Sequence, residues 1–142
     1  MGVRVKLRIK IGKVDVETSA LVNTGFETSE PQLLVPFSLL TSMGIDLRDL
    51  GKPEIITYGT AGGDVNLYVF RKGCRVSVIE PDKSSPTVES DLVLSHVENE
   101  VLISDALCEE LGIIILNPRK GYWRFIDDPP DRVRRSYPQK LW

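Results

Sequence analysis

Val3, Val5, Leu7, Ile9 and Ile11 alternate with Arg4, Lys6, Arg8 and Lys10. A period of two is that of a strand with one face in a core and the other in water. Gly12-Lys13 then turns the chain, and Val14, Val16, Thr18, Ala20 and Val22 continue the alternation. The first element is therefore a β-hairpin that delivers Asn23 at its far end. Residues 27–32 are polar and contain Pro31, which predicts a loop, and Leu33-Leu34-Val35 is a short buried strand. Pro36 suits the first turn of a helix running through Leu39, Leu40 and Met43, and Gly44 is a C-terminal cap type. Residues 45–52 read as irregular. Apolar-rich runs at 55–60 and 65–70 flank Ala61-Gly62-Gly63-Asp64, the pattern of a hairpin with a flexible glycine tip. Residues 75–79 and 87–94 predict another strand pair, joined by a solvated loop over 80–86. Val101-Leu102-Ile103 leads into a helix opened by Ser104-Asp105 and closed by Gly112, with strands to follow at 113–116 and 122–126.

Residues 33–45 can be laid without gaps on residues 101–113. Each segment reads as three apolar residues, a helix start, a turn or two of helix, and Gly-Ile. A strand pair precedes each, so the chain divides into two pseudo-repeated halves. The expected fold class is mainly β, a closed barrel or sandwich with a short C-terminal helix. One domain is expected over 1–126. Residues 127–142 contain Pro and Arg without periodicity, which predicts a loosely docked C-terminal tail.

With 142 residues the chain is long enough for one domain with a real core and too short for two comfortable ones. A formal net charge of −2 gives no electrostatic reason to invoke nucleic acid. The longest apolar run, Ile113-Ile114-Ile115-Leu116, falls far below the ~20 residues of a membrane span. The alternating pattern begins at once, without a signal peptide, so the expectation is a cytoplasmic protein that spans no membrane. Cys74 and Cys108 lack CxxC spacing and His96 is the sole histidine, so neither metal nor cofactor is expected. The cysteines read as small buried hydrophobes. No G-x-S-x-G occurs and His96 has no obvious orienting partner by spacing, which disfavours a serine or cysteine hydrolase. A phosphate-binding reading of Gly62-Gly63 wants a helix immediately afterwards, where residues 65–70 are strand-like.

The candidate chemistry lies in Ala20-Leu21-Val22-Asn23-Thr24-Gly25. With a carboxylate in place of the Asn23 amide this would be the active-site signature of an aspartic peptidase. Such an enzyme needs two carboxylates that share one proton, because like charges roughly 3 Å apart cannot both ionise. One acts as general base on a water and the other as general acid. The order of parts, from strand hairpin through Asn-Thr-Gly, apolar strand and Gly-tipped hairpin to an apolar run and helix, resembles that of retroviral-type (retropepsin-like) aspartic peptidases from Val3 to Phe125.

The resemblance implies that Asn23, Thr24 and Gly25 occupy the catalytic turn. Gly59, Thr60, Ala61, Gly62 and Gly63 would form a flap over bound peptide, and Val101-Leu102-Ile103-Ser104 would cradle the active-site loop. It also implies a homodimer, since each chain supplies one member of the dyad, and a peptide or protein substrate. Ser104 stands where the family usually has Gly. Asn23 is the larger departure, because a symmetric dimer would carry two amides and neither base nor acid. Either the carboxylate has been exchanged to stop self-cleavage, or the chain is a non-catalytic relative that binds peptides. Thr24, Gly25 and the glycine flap are kept, which favours the first. A third reading is a small β-barrel ligand binder in which Asn-Thr-Gly is only a turn.

Overall fold

A computed structural model describes residues 2–142; Met1, the first residue of the expected domain, lies outside the described residues. The alternating N-terminal residues form β1 (Arg4–Ile11) and β2 (Val14–Val22), paired antiparallel from Arg4↔Leu21 to Ile11↔Val14. Val5, Leu7, Ile9 and Ile11 are buried, as the period-two pattern requires. β3 (Gln32–Pro36) runs into the short helix α1 (Phe37–Ser42), with Pro36 as its N-cap and Gly44 beyond its end at φ +72°. A 3-10 turn at Leu47–Leu50, capped by Asp46, occupies the segment read as irregular. β4 (Glu54–Thr60) and β5 (Gly63–Val78) make the glycine-tipped hairpin, joined at Ala61-Gly62. β6 (Val88–Ser95), β7 (Leu102–Ile103), α2 (Asp105–Glu110), β8 (Ile113–Asn117), β9 (Tyr122–Phe125) and β10 (Arg134–Arg135) complete the chain.

The strand order β1-β2-β7-β3-β6-β5 returns to β1 through Leu7↔Val78 to Lys10↔Arg75, closing a six-stranded barrel. β4 extends beyond the barrel along β5, and β8, β9 and β10 form a separate three-stranded sheet. The fold is thus mainly β with a closed barrel. Leu7, Ile9, Leu33, Leu92 and Ile103 of the barrel strands share one core with Leu107 of α2 and Trp123 of β9, all fully buried. Each such side chain contributes roughly 1.5–3 kcal/mol when buried. Both cysteines are free and buried, with thiols pushed up by burial to about 12 for Cys74 and about 11 for Cys108.

Two expectations are corrected. The strands expected at 65–70 and 75–79 are not separate: Gly63–Val78 is one 16-residue β5, and Ile79 lies beyond it in an isolated bridge to Ser84. A bulge between Phe70 and Cys74 joins the two parts of β5, where Lys72 takes φ +51° and its N–H donates to Asp91 Oδ1 at 2.9 Å. Gly73 is demanded by packing, since a Cβ there would meet Phe70 O at 2.9 Å and Leu92 Cβ at 3.0 Å.

The C-terminal segment is not loosely docked. Tyr137 N–H donates to Arg4 O at 3.0 Å, Ser19 Oγ to Pro138 O at 2.8 Å, and Trp142 Nε1 to Thr18 Oγ1 at 3.1 Å. Arg134 is buried between Asp128, Asp82 and Glu80, all within 3.3 Å, and lies over the Phe125 ring at 4.9 Å. The last residues therefore strap the β1–β2 hairpin to the second sheet.

Candidate functional site

β2 ends at Val22, and the next three residues turn on their own hydrogen bonds. Asn23 N–H donates to Ile103 O at 3.0 Å, Phe26 N–H to Asn23 O at 3.0 Å, and Gly25 N–H to Asn23 Oδ1 at 3.1 Å. The last is an Asx-type contact, a side chain standing in for backbone two residues on. It fixes the Asn23 carboxamide oxygen against the loop. Gly25 suits this close approach, because a Cβ there would lie 3.3 Å from that oxygen. Asn23 is half-buried, while Thr24 and Gly25 are exposed.

The loop rests on the start of α2. Ser104 is fully buried, and its Oγ accepts from Leu107 N–H at 3.2 Å, capping α2, and from Gln32 N–H at 3.1 Å. Asp105 N–H donates to Phe26 O at 3.0 Å, and Asp105 Oδ1 accepts from Thr28 N–H at 2.9 Å. The serine at this position is thus a working cap that also holds the strand beside the loop.

Above the loop lies the β4–β5 hairpin, tied down near its tip by Tyr58, which pairs with Val65. The Tyr58 hydroxyl donates to Gln32 Oε1 at 2.7 Å, and its ring meets Phe26 edge-on at 6.0 Å. Gln32 Nε2 donates to Asp91 Oδ2 at 3.3 Å, and Arg71 Nη1 donates to the same oxygen at 2.9 Å. Burial pushes the Tyr58 phenol above its ordinary value, so it stays a donor through the neutral range. Tyr58→Phe would leave Gln32 Oε1 unpaired, at a cost of about 1–3 kcal/mol, much of it falling on hairpin docking. Faster amide exchange across residues 56–66, with exchange in β1 unchanged, is the expected readout; unchanged exchange in the hairpin would show that Tyr58 is not its tether.

Between loop and hairpin is a cavity of about 770 Å³. Of the residues singled out from sequence, Asn23, Gly25, Gly59, Thr60 and Ala61 line it together. Thr24 instead faces a second hollow with Asp105, Ile113 and Ile114, and Gly62 and Gly63 sit at the hairpin tip outside the lining. Thr60 Oγ1 donates to Gly63 O across that tip. Leu102, named from sequence as part of the cradle of the loop, lines the cavity as well, and sequence reasoning missed Phe26, Glu27, Leu34, Tyr58 and Ser95.

A signal for some of these existed in the gapless match of 33–45 to 101–113. Leu34 and Leu102 are equivalent in that match, and they face each other in the antiparallel β3–β7 pair. β2 pairs parallel with β7 through Leu21↔Leu102, and β6 with β3 through Leu34↔Val93. By this pairing Ser95, the last residue of β6, corresponds to Asn23, the residue after β2. Ser95 Oγ accepts from Val97 N–H at 3.2 Å and Glu98 N–H at 3.0 Å, so each strand ends in a side chain that caps its own turn.

No protein-family model matches this sequence, and no curated protein matches it. Among the described residues, no group of three or more His, Cys, Asp or Glu is arranged to hold a metal ion. No helix of the described residues is long and apolar enough to cross a membrane. The arrangement offers an open cleft with a carboxamide on its floor, backbone and hydroxyl groups of a glycine-tipped hairpin above it, and apolar walls.

Proposed function

We propose that this chain is the scaffold of an aspartic endopeptidase of retropepsin-like fold, working as a homodimer and held inactive by the amide of Asn23. The observation that carries the reading is the meeting of Asn23 and Gly25 with Gly59, Thr60 and Ala61 around one cleft. Residues far apart in sequence, chosen as catalytic turn and flap, converge on the space a peptide would occupy. The reciprocal β2–β7 and β6–β3 pairings, with Leu34 facing Leu102, support a duplicated architecture of two pseudo-repeated halves.

In this reading the peptide lies extended across Asn23, and the hairpin closes over it. With a carboxylate at position 23 in both chains, one member of the pair would take the proton of a water as it attacks the scissile carbonyl. The other would protonate the leaving nitrogen. With Asn23 neither transfer is available. A non-catalytic peptide-binding or assembly module is the second reading, and the amide itself favours it. Inhibitor-sensitive cleavage gained on Asn23→Asp separates the two.

The reading requires a two-fold dimer, because each chain brings one such turn. The exposed side of Thr24, beside the second hollow and the outer edge of β8, is the surface it assigns to the contact; that edge has no strand partner among the described residues. Sedimentation equilibrium is expected to give a dimer at micromolar concentration. A monomer persisting to high micromolar concentration would count against the peptidase reading.

A further inference from the structure

Three stretches wall the cleft: residues 21–32 from the end of β2 onward, residues 54–67 of the β4–β5 hairpin, and residues 95–102 from the end of β6 onward. Together they carry Glu27, Glu30, Glu54, Asp64, Glu98 and Glu100 but not one Lys or Arg, in a chain with 18 of those cations. Two of the six are compensated from elsewhere, Glu54 by Arg71 at 2.9 Å and Glu100 by Arg4 at 2.6 Å. Glu27, Glu30, Asp64 and Glu98 are exposed and have no ion-pair partner among the described residues. Glu27 and Glu98 line the cavity itself, each on the turn that follows a cleft strand. The lining also carries an apolar wall that includes Phe26, Leu34, Leu67 and Leu102, beside the polar Asn23, Thr57, Thr60 and Ser95.

We propose that the cleft selects extended polypeptide segments in which a large apolar side chain is flanked by lysine or arginine, with Glu27 and Glu98 as the specificity-determining residues. The proposal rests on the reading of the cleft as a peptide site. An extended peptide sends successive side chains to opposite sides, so an apolar residue directed at the cleft wall turns its neighbours toward the rim, where the carboxylates stand. Charge of one sign in a cleft with apolar walls focuses its field and raises the local concentration of a cationic ligand. An acidic segment would meet repulsion and have no cation in the lining to accept it. In a symmetric dimer each carboxylate occurs twice, so cations on both sides of the apolar anchor would be recognised.

The test uses the chain with Asn23 in place, so that binding is read without cleavage. Three fluorescent peptides share one apolar core and carry Arg, Gln or Glu on its flanks, and anisotropy titrations measure Kd at low and high salt. Exposed ion pairs of this kind contribute about a two- to fivefold change each, so the Arg-flanked peptide should bind roughly tenfold tighter than the Gln-flanked one at low salt. The Glu-flanked peptide should be the weakest, and salt should compress the series. Glu27→Gln combined with Glu98→Gln is expected to erase the Arg-to-Gln ratio. Asp15→Asn combined with Asp49→Asn, the same change in net charge on exposed positions outside the lining, should keep it. Equal binding of all three peptides, or equal loss of the ratio in both double variants, overturns the charge selection while leaving a peptide cleft standing. Failure of every peptide to bind overturns the peptide reading as well.

Discussion

Asn23→Asp is expected to convert an inert protein into an endopeptidase active at acidic to mildly acidic pH. General acid-base catalysis alone contributes about 10²–10⁴-fold, and the gain should exceed this because base and acid are both missing at present and members of a catalytic unit act non-additively. The local structure is already suited to the change. Gly25 N–H points at Asn23 Oδ1 from 3.1 Å and would donate equally to a carboxylate oxygen there, favouring its charged form. The second oxygen would occupy the place of the amide nitrogen.

Two such carboxylates near a dimer axis share one proton, so the pair titrates with two separated macroscopic pKa values. The upper one is raised in the dimer relative to the separated chains. Dimer stability from this source is therefore present at low pH and lost as pH rises through that upper value. A dimer carrying Asn23 would have no such dyad and should lack this dependence. Dissociation constants measured from pH 4 to pH 8, a range bracketing ordinary carboxylate titration upward, would show the difference between the two proteins.

Arg134→Ala is expected to cost about 3 kcal/mol of folding stability, the low end of the usual penalty for breaking a buried pair, because the partner left behind keeps Lys83 Nζ at 2.8 Å. Asp128 is that partner. It is buried, accepts Arg134 Nε at 2.8 Å and Nη2 at 3.0 Å, and also accepts Phe125 N–H at 2.8 Å. Asp82 takes the outer side of the guanidinium through two contacts of 2.8 Å. Arg134 holds Asp128 far below the usual carboxylate range and draws Asp82 down to about 2. Both carboxylates have depressed pKa values in the fold, so their contribution is complete above the ordinary carboxylate pKa near 4 and is lost as pH falls toward 2 and below. The strap thus survives the mildly acidic range in which a carboxylate dyad would operate. Urea denaturation of the parent and of Arg134→Ala at neutral pH and near pH 2 is the check. The gap between the two proteins should be widest at neutral pH and narrow in acid, and a gap independent of pH would contradict the assignment.

The barrel was legible where local pattern and tertiary environment agree. The alternation of β1 and β2, the caps Ser104 and Gly112, and the glycine tip of the β4–β5 hairpin are each decided within a few residues. Residues 71–74 separate the strands expected at 65–70 and 75–79, and in the fold Arg71-Lys72-Gly73 form a bulge. The bulge depends on Asp91, 19 residues from Lys72 in sequence, which accepts the Lys72 N–H. The C-terminal strap was illegible for the same reason at longer range. Ser136 Oγ accepts from Arg4 N–H across 132 residues, and Arg134 finds Asp82 across 52, while nothing periodic marks residues 127–142. At the site, the turn and the hairpin announce themselves through Asn-Thr-Gly and paired glycines. The walls do not, because which side chains of β3, β5 and β7 face the cleft depends on a register that the residue types leave open. The pairing of Leu34 with Leu102 settles it for two of those side chains.

The central claim is that the cleft at Asn23 is an aspartic-peptidase site lacking only its carboxylates. Its most direct test is a paired incubation of the chain as given and its Asn23→Asp variant with an unfolded protein substrate, from acidic to neutral pH, with and without a transition-state-mimicking aspartic-peptidase inhibitor. The account predicts cleavage by the variant alone, strongest in acid and abolished by the inhibitor. A variant that dimerises correctly yet leaves the substrate intact at every pH would contradict it, and would leave the cleft as a site for binding without chemistry.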